Sequence, residues 1–254
     1  MINKIINIAK EAGEVIKNGF GENLQIEFKT GDNNIVTNID KAAEKIILDF
    51  VKKEFPSHSI IAEESGTKHN SSDYTWVIDP LDGTTNFAHG LPIFAVSIGV
   101  QKNDKTIAGV IYDVMNNKIY ASEKGAGAFV NDEKISVTKN KTLSESLVVT
   151  GFPYDIKKDL EKTIRVFTNL LVKTRGVRRL GSAALDMCYV ASGVFDAFWE
   201  SGLKPWDVCA GLLLVEEAGG KISDFKGKPI DIFSNHFLTT NGLIHNAMID
   251  VFNR

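Results

Sequence analysis

Cysteine is scarce. Cys188 and Cys209 are the two among 254 residues, and they form neither a Cys-x-x-Cys pair nor a zinc-ligand spacing. Nothing supports a disulfide-stapled scaffold, and both thiols are expected to be buried and reduced. An excess of one charge is also lacking: 29 basic residues face 32 acidic ones, for a net charge of −3. That balance makes no broad field for nucleic acid, and no basic stripe with interleaved aromatics is present. A small anionic ligand would need local positive charge, from a metal or a few basic side chains. No apolar run reaches the ~18 residues of a membrane span. The first twenty residues carry Lys4, Lys10, Glu11, Glu14 and Lys17, so they are no signal peptide. These absences fit a cytoplasmic protein with no nucleic-acid or membrane partner. Internal repeats, low-complexity tracts and Pro-, Gly- or Ser-rich linkers are missing as well.

What is present is core-forming material, at 43% hydrophobic residues, enough for one large domain or two small ones. Ile2, Ile5, Ile8, Ala9, Ala12, Val15, Ile16 and Phe20 recur at steps of three and four and predict a helix. A second helix is expected from about Ile39 to Phe55, capped by Thr37 or Asn38 and stopped by Pro56. Strands are expected at Ser59–Ala62, Tyr74–Ile78, Phe94–Gln101, Thr106–Val114 and Lys118–Ser122, with a hairpin at Met115-Asn116-Asn117. Gly125-Ala126-Gly127 reads as a turn, and a lone Gly-x-Gly is a weak nucleotide signal. Helices at Leu160–Leu171, Ser182–Ala191 and Trp206–Ala218 then alternate with strands at Gly176–Leu180, Val194–Trp199 and Lys221–Asp224. The expected architecture is one α/β unit of packed layers over residues 1–254. It divides near residue 140 into an α+β half, 1–140, and an α/β half, 141–254, tightly docked.

The sharpest chemical feature is the run Trp76-Val77-Ile78-Asp79-Pro80-Leu81-Asp82-Gly83-Thr84-Thr85-Asn86-Phe87. An apolar strand delivers Asp79, and Pro80 is expected to end its pairing. Asp82-Gly83 turns the chain, and Thr84-Thr85 can open a helix. Such a turn can aim both carboxylates at one point, with free N–H groups of Gly83, Thr84 and Thr85 beside them. Carboxylates bind hard cations and helix N-termini bind phosphate, so one turn supplies both parts of a metal-phosphate site. Asp-Pro and Asp-Gly are also ordinary turn formers. Further acidic pieces weigh for the site: Glu63 follows a short apolar strand, and Asp207 stands at the start of an apolar helix, where an Asp also serves as a good N-terminal residue.

Glu63-Glu64-Ser65, Asp79-Pro80-Leu81-Asp82-Gly83-Thr84, and Trp206-Asp207 followed by Ala210-Gly211 together resemble the inositol monophosphatase family, relatives of the fructose-1,6-bisphosphatases and other lithium-sensitive phosphatases. The likeness runs from Lys29 and Val36-Thr37-Asn38-Ile39-Asp40 to Asn241-Gly242, nearly the whole chain. It implies a five-layered αβαβα sandwich, a cytoplasmic homodimer, and two or three Mg²⁺ ions per active site. Glu63, Asp79 and the Leu81 carbonyl match ligands of one ion, and Asp79, Asp82 and Asp207 those of a second. A third, weaker ion would reach Glu63 through water. Asp40 and Thr84 match the pair that orients the attacking water, so Glu63, Thr84 and Asp40 are the implied catalytic residues. Asp82, Gly83, Thr84, Gly181, Ser182, Ala183, Glu200 and Asp207 match the substrate-holding set. Lys29 matches a basic residue near the metal site, and Arg178 is a further candidate contact.

The implied reaction is hydrolysis of myo-inositol monophosphate by a metal-activated water, without a phospho-enzyme. The chain has no Asp-x-Asp for an aspartyl-phosphate route and no Cys-x5-Arg for a thiolate route. Its histidines, His58, His69, His89, His236 and His245, form no tight cluster in the sequence and read as structural or solvated. Arg175, Arg178 and Arg179 before Gly181 are a solvated basic edge or a contact for a second anionic group, whereas Glu200 suits hydroxyls and repels a further phosphate. Alternatives are fructose-1,6-bisphosphatase activity, alone or alongside, then dephosphorylation of NADP(H), of 3′-phosphoadenosine 5′-phosphate or of histidinol phosphate. A catalytically silent binding homologue is the non-enzyme alternative, and the complete set Glu63, Asp79, Asp82 and Asp207 opposes it. The short stretch from Glu64 to Ile78 predicts weaker lithium inhibition and a broader substrate range than in long-loop relatives.

Overall fold

The computed structural model describes residues 1–29, 34–153 and 155–253. The chain opens with α1 (Ile2–Gly19), the strands β1 (Ile26–Phe28) and β2 (Ile35–Thr37), and α2 (Asn38–Glu54). Next come β3 (Ser59–Ala62), β4 (Gly66–Lys68), β5 (Tyr74–Asp82) and the short α3 (Thr84–Ala88). A meander follows: β6 (Ala95–Lys102), β7 (Lys105–Asp113), β8 (Lys118–Glu123), β9 (Gly127–Val130) and β10 (Glu133–Ile135). The last part comprises β11 (Leu147–Thr150), α4 (Leu160–Lys173), β12 (Gly176–Arg178), α5 (Ala183–Ala191), β13 (Ala197–Ser201) and α6 (Pro205–Glu217). It closes with β14 (Lys221–Ser223), β15 (His236–Thr240) and α7 (His245–Phe252).

Two large sheets result. One has eight strands in the order β10-β9-β8-β7-β6-β5-β3-β4, the other five in the order β12-β11-β13-β15-β14. Side chains alternate across each sheet with the period of a strand. Trp76 and Ile78 of β5 face α1 and α2, where they meet Ile8, Ile16 and Ile47. Val77, between them, faces the opposite way, toward α5 and α6. In the second sheet Phe198 and Phe237 face α5 and α6, while Trp199 and Leu238 face α4 and α7. The layers therefore run αβαβα, the expected sandwich. The middle helices have apolar residues on every side because both flanks are covered by sheet. Close approach there needs small residues: a Cβ on Gly109 of β7 would lie 2.9 Å from Ala210 Cα and 3.1 Å from its carbonyl oxygen.

Most predicted elements lie within a few residues of their expected bounds. Thr37, not Asn38, caps α2, its hydroxyl accepting from the N–H of Ile39 at 3.1 Å. Pro80 does not end pairing. The strand continues to Asp82 through a bulge, because the ladder pairs Asp79 with Ser97 and then Asp82 with Ala95. Proline, which has no N–H to donate, is tolerated at such a point. The Gly125–Gly127 turn packs on the end of α6: the N–H groups of Gly125 and Gly127 donate to the Glu217 carboxylate at 2.8 and 2.9 Å. Both cysteines are buried and free, as expected. Asp196 anchors the segment between the sheets. Its carboxylate accepts from Asn140 Nδ2 at 3.0 Å and from the Leu147 N–H at 2.8 Å, and Asn241 Nδ2 donates to Thr138 Oγ1 at 2.8 Å. Asn241, where the sequence likeness ended, thus has a structural post. Among the described residues, no helix is long and apolar enough to cross a membrane.

Candidate active site

The β5 bulge is what builds the site. Residues three apart on a regular strand point to opposite faces; the extra residue turns Asp79 and Asp82 to the same one. That face looks at the N-terminus of α6, where Asp207 occupies the third helical position and accepts from the Lys204 N–H at 2.6 Å. The carboxylates of Asp79, Asp82 and Asp207 come within 4.8 Å of one another. Glu63, just past β3, is held by its N–H to the Ile78 carbonyl at 3.1 Å. Its carboxyl abuts Asp79 and is bridged by Lys29 Nζ, 2.7 Å from Glu63 and 2.5 Å from Glu64.

Two further groups fix the floor. Asp40 sits in the first turn of α2, where one oxygen accepts from the Thr37 N–H at 2.9 Å, completing a capping box. The other oxygen lies 2.8 Å from Thr84 Oγ1, which is also 2.9 Å from the Leu81 carbonyl. A residue that starts a helix thus also holds the threonine hydroxyl beside the acidic cluster. Gly83, between them, has φ +93°, and a Cβ there would lie 2.8 Å from the Ile93 carbonyl oxygen. Only glycine makes this turn without strain.

The start of α5, in the middle helix layer, closes the site. Asp82 accepts from the Ser182 hydroxyl and from the Ala184 N–H, the latter at 2.9 Å. Asn86 of α3 donates to the Leu180 carbonyl at 2.9 Å. Gly181, Ser182 and Ala183 therefore lie against the acidic cluster as expected, and Glu200 is buried near it, its charge acting on Asp207. A profile of the inositol monophosphatase family matches residues 1–253. The chain belongs to the inositol monophosphatase family. It is 43% identical to a Pasteurella multocida protein named Nus factor SuhB, over 94% of this chain and 90% of that one. It is 39% identical to the inositol-1-monophosphatase of Mesorhizobium japonicum, over 98% and 94%. The solved inositol monophosphatase of Anabaena superposes with a TM-score of 0.88 at 41% identity, over 99% and 96%.

In this inositol monophosphatase relative, electrostatics mark the same spot. Burial, then the charges of Glu63, Asp82 and Asp207, push the Asp79 carboxyl well up. Burial raises Asp207 likewise, with Glu63 and Asp82 adding to it. Asp82 is raised to about 6 by burial, against the pull of the Ser182 hydroxyl. Packed acids with oxygen donors alone fit a hard divalent cation, which would relieve their repulsion.

Arg178 does not turn to the cluster: its guanidinium donates to its own Val177 carbonyl at 3.1 Å. Arg179 is the arginine whose charge reaches Glu200 and Asp186. The sequence names Arg179 only as one of three arginines that could meet a second anionic group, and it assigns Asn86 no role. Asn86 lies inside the sharpest motif, and Arg179 beside Gly181, so position was the available signal.

Proposed function

We propose that this protein is a Mg²⁺-dependent phosphomonoesterase that hydrolyses myo-inositol monophosphate to inositol and phosphate. The observation that carries this reading is the meeting of Asp79, Asp82 and Asp207 within 4.8 Å, beside the Thr84–Asp40 pair. Mg²⁺ held by Glu63, Asp79, Leu81, Asp82 and Asp207 would neutralise phosphate charge and lower the pKa of a water. The chain's own groups do the rest. Thr84, donating to Asp40, keeps its lone pairs free to accept from the attacking water and to pass its proton toward Asp40. N–H groups of the first turn of α3 have no acceptor within their own helix and suit phosphate oxygens. Glu200 accepts from leaving-group hydroxyls near Ser182 and Ala183.

A second reading, hydrolysis of fructose-1,6-bisphosphate, is favoured by Arg179, a cation beside Gly181 suited to a further phosphate. Phosphate release from inositol-1-phosphate, fructose-1,6-bisphosphate and NADP, with and without Mg²⁺ and with an Asp82→Asn control, separates these. The proposal expects Mg²⁺-dependent release, highest with inositol-1-phosphate and lost in the variant. A folded wild type that binds Mg²⁺ and releases nothing from any ester would point to a non-catalytic relative.

A further inference from the structure

Gly151 follows β11, next to the strand that carries Glu200. The parallel pairing sets Val149 against Phe198 and Thr150 against Trp199, so the next pair is Gly151 and Glu200. Both are buried. A Cβ on Gly151 would lie 2.0 and 2.4 Å from the two Glu200 oxygens and 2.3 Å from the carbon between them. No side chain tolerates such contacts, so the space over Gly151 is filled by the Glu200 carboxyl.

Charged groups surround that carboxyl. The charges of Asp82 and Asp186 oppose it, and Arg179 is the cation that favours it. Asp186 is itself buried, with its Oδ1 unpartnered among the described residues. Outward, past Gly151, lies a cleft lined by Pro153, Trp199, Ser201 and His236, which Glu200 itself borders. A larger residue at 151 would drive the carboxyl toward that cleft and away from Asp82.

We infer that Gly151 is a positioning residue for leaving-group specificity. By leaving room for Glu200 beside the acidic cluster, it fixes a wall that hydrogen-bonds the hydroxyls of the leaving group. The inference rests on the phosphatase reading above.

The test uses Gly151→Ala, Glu200→Ala and the double variant, each assayed with inositol-1-phosphate and with p-nitrophenyl phosphate, whose leaving group has no aliphatic hydroxyls. Gly151→Ala is expected to raise KM for inositol-1-phosphate about tenfold, with kcat and the KM for the aryl ester changed less than about twofold. In the Glu200→Ala background, the same substitution should add almost nothing. An equal KM rise for both esters, or full additivity in the double variant, overturns the inference. Should Gly151→Ala fail to fold, the double variant, which has space for the methyl, is expected to fold and melt above it; failure of both also overturns it. If the wild type hydrolyses only the aryl ester, the inositol reading falls. The melting temperatures of the three variants then still decide whether Gly151 seats Glu200.

Discussion

The Thr84 hydroxyl has one proton and two acceptors in reach, Asp40 at 2.8 Å and the Leu81 carbonyl at 2.9 Å. Donation to the carboxylate is the stronger bond, because a charged acceptor roughly doubles the strength. It also leaves the oxygen's lone pairs for a water. Thr84→Ala is therefore expected to lower kcat by about 10²–10³-fold with a much smaller change in KM, whereas Thr84→Ser keeps activity within about tenfold. Steady-state kinetics with inositol-1-phosphate check both, and an alanine variant at wild-type kcat would remove Thr84 from the reaction. At this scale much was legible beforehand. Asp79, Asp82, Thr84 and Asp207 stand in short motifs, and Asp82-Gly83 declares a turn, whereas Pro80 misled because the bulge lets β5 run on through it. Arg179 was not separable from Arg175 and Arg178, because three basic residues in one short stretch differ only in where the backbone aims them.

At the scale of elements, α6 is held where it is by a side chain that β7 lacks. Gly109 leaves space for the backbone of Ala210, three residues after Asp207 on the same helix. Gly109→Ala would push α6 off the sheet. The expected cost is about 1–3 kcal/mol, and the shift carries Asp207 with it. Urea unfolding and a Mg²⁺ titration of activity check this together: stability should fall and half-saturating Mg²⁺ should rise severalfold. Lost stability with unchanged Mg²⁺ dependence would show that α6 deforms without moving Asp207.

His245 ties α7 to two strands. Ser223 of β14 lies 2.9 Å from its Nε2, and Thr240 of β15 lies 2.9 Å from its Nδ1, with the ring itself at the start of α7. Burial, with Lys221 adding to it, brings its pKa down to about 4. The unfolded chain, near 6.5, binds this proton more readily than the folded one. The contribution to stability is therefore intact above pH 6.5 and shrinks as pH falls toward 4, by about 2 kcal/mol between pH 7 and 5. His245→Gln should lose stability at pH 7 yet flatten that slope, as unfolding at the two pH values would reveal. A variant with the wild-type slope assigns the pH dependence to other groups. None of this was visible in the sequence, where β15 and α7 went unpredicted. Their apolar runs are short, and a five-residue strand and an eight-residue helix have too few turns to declare a period. The longer α1 and α2, with one wet face each, were plain.

Over the whole molecule, the site belongs to both sheets at once. Asp79 and Asp82 come from the eight-stranded sheet, Glu200 from the five-stranded one, and Ser182, Ala184 and Asp207 from the helix layer between. The strand order could not be read from local patterns, since nothing in β13 announces that it lies between β11 and β15. A division near residue 140 was expected, and the strands of the two sheets do fall on either side of it. Yet the central core joins Val77, Ala95 and Ile111 from one sheet to Phe198 and Phe237 from the other through α5 and α6. Separating the halves would expose that whole apolar layer and the buried Asp82 together, so we propose that they unfold as one unit. The three tryptophans allow a direct test. Trp76→Phe leaves fluorescence only in the second half, and Trp199→Phe with Trp206→Phe leaves it only in the first. Coincident urea midpoints, each variant referenced to its own circular-dichroism transition, are the expected result. If the Trp76 signal instead changed at a different urea concentration from the secondary structure, the halves would be separate cooperative units. The acidic cluster could then come apart while each sheet stayed folded.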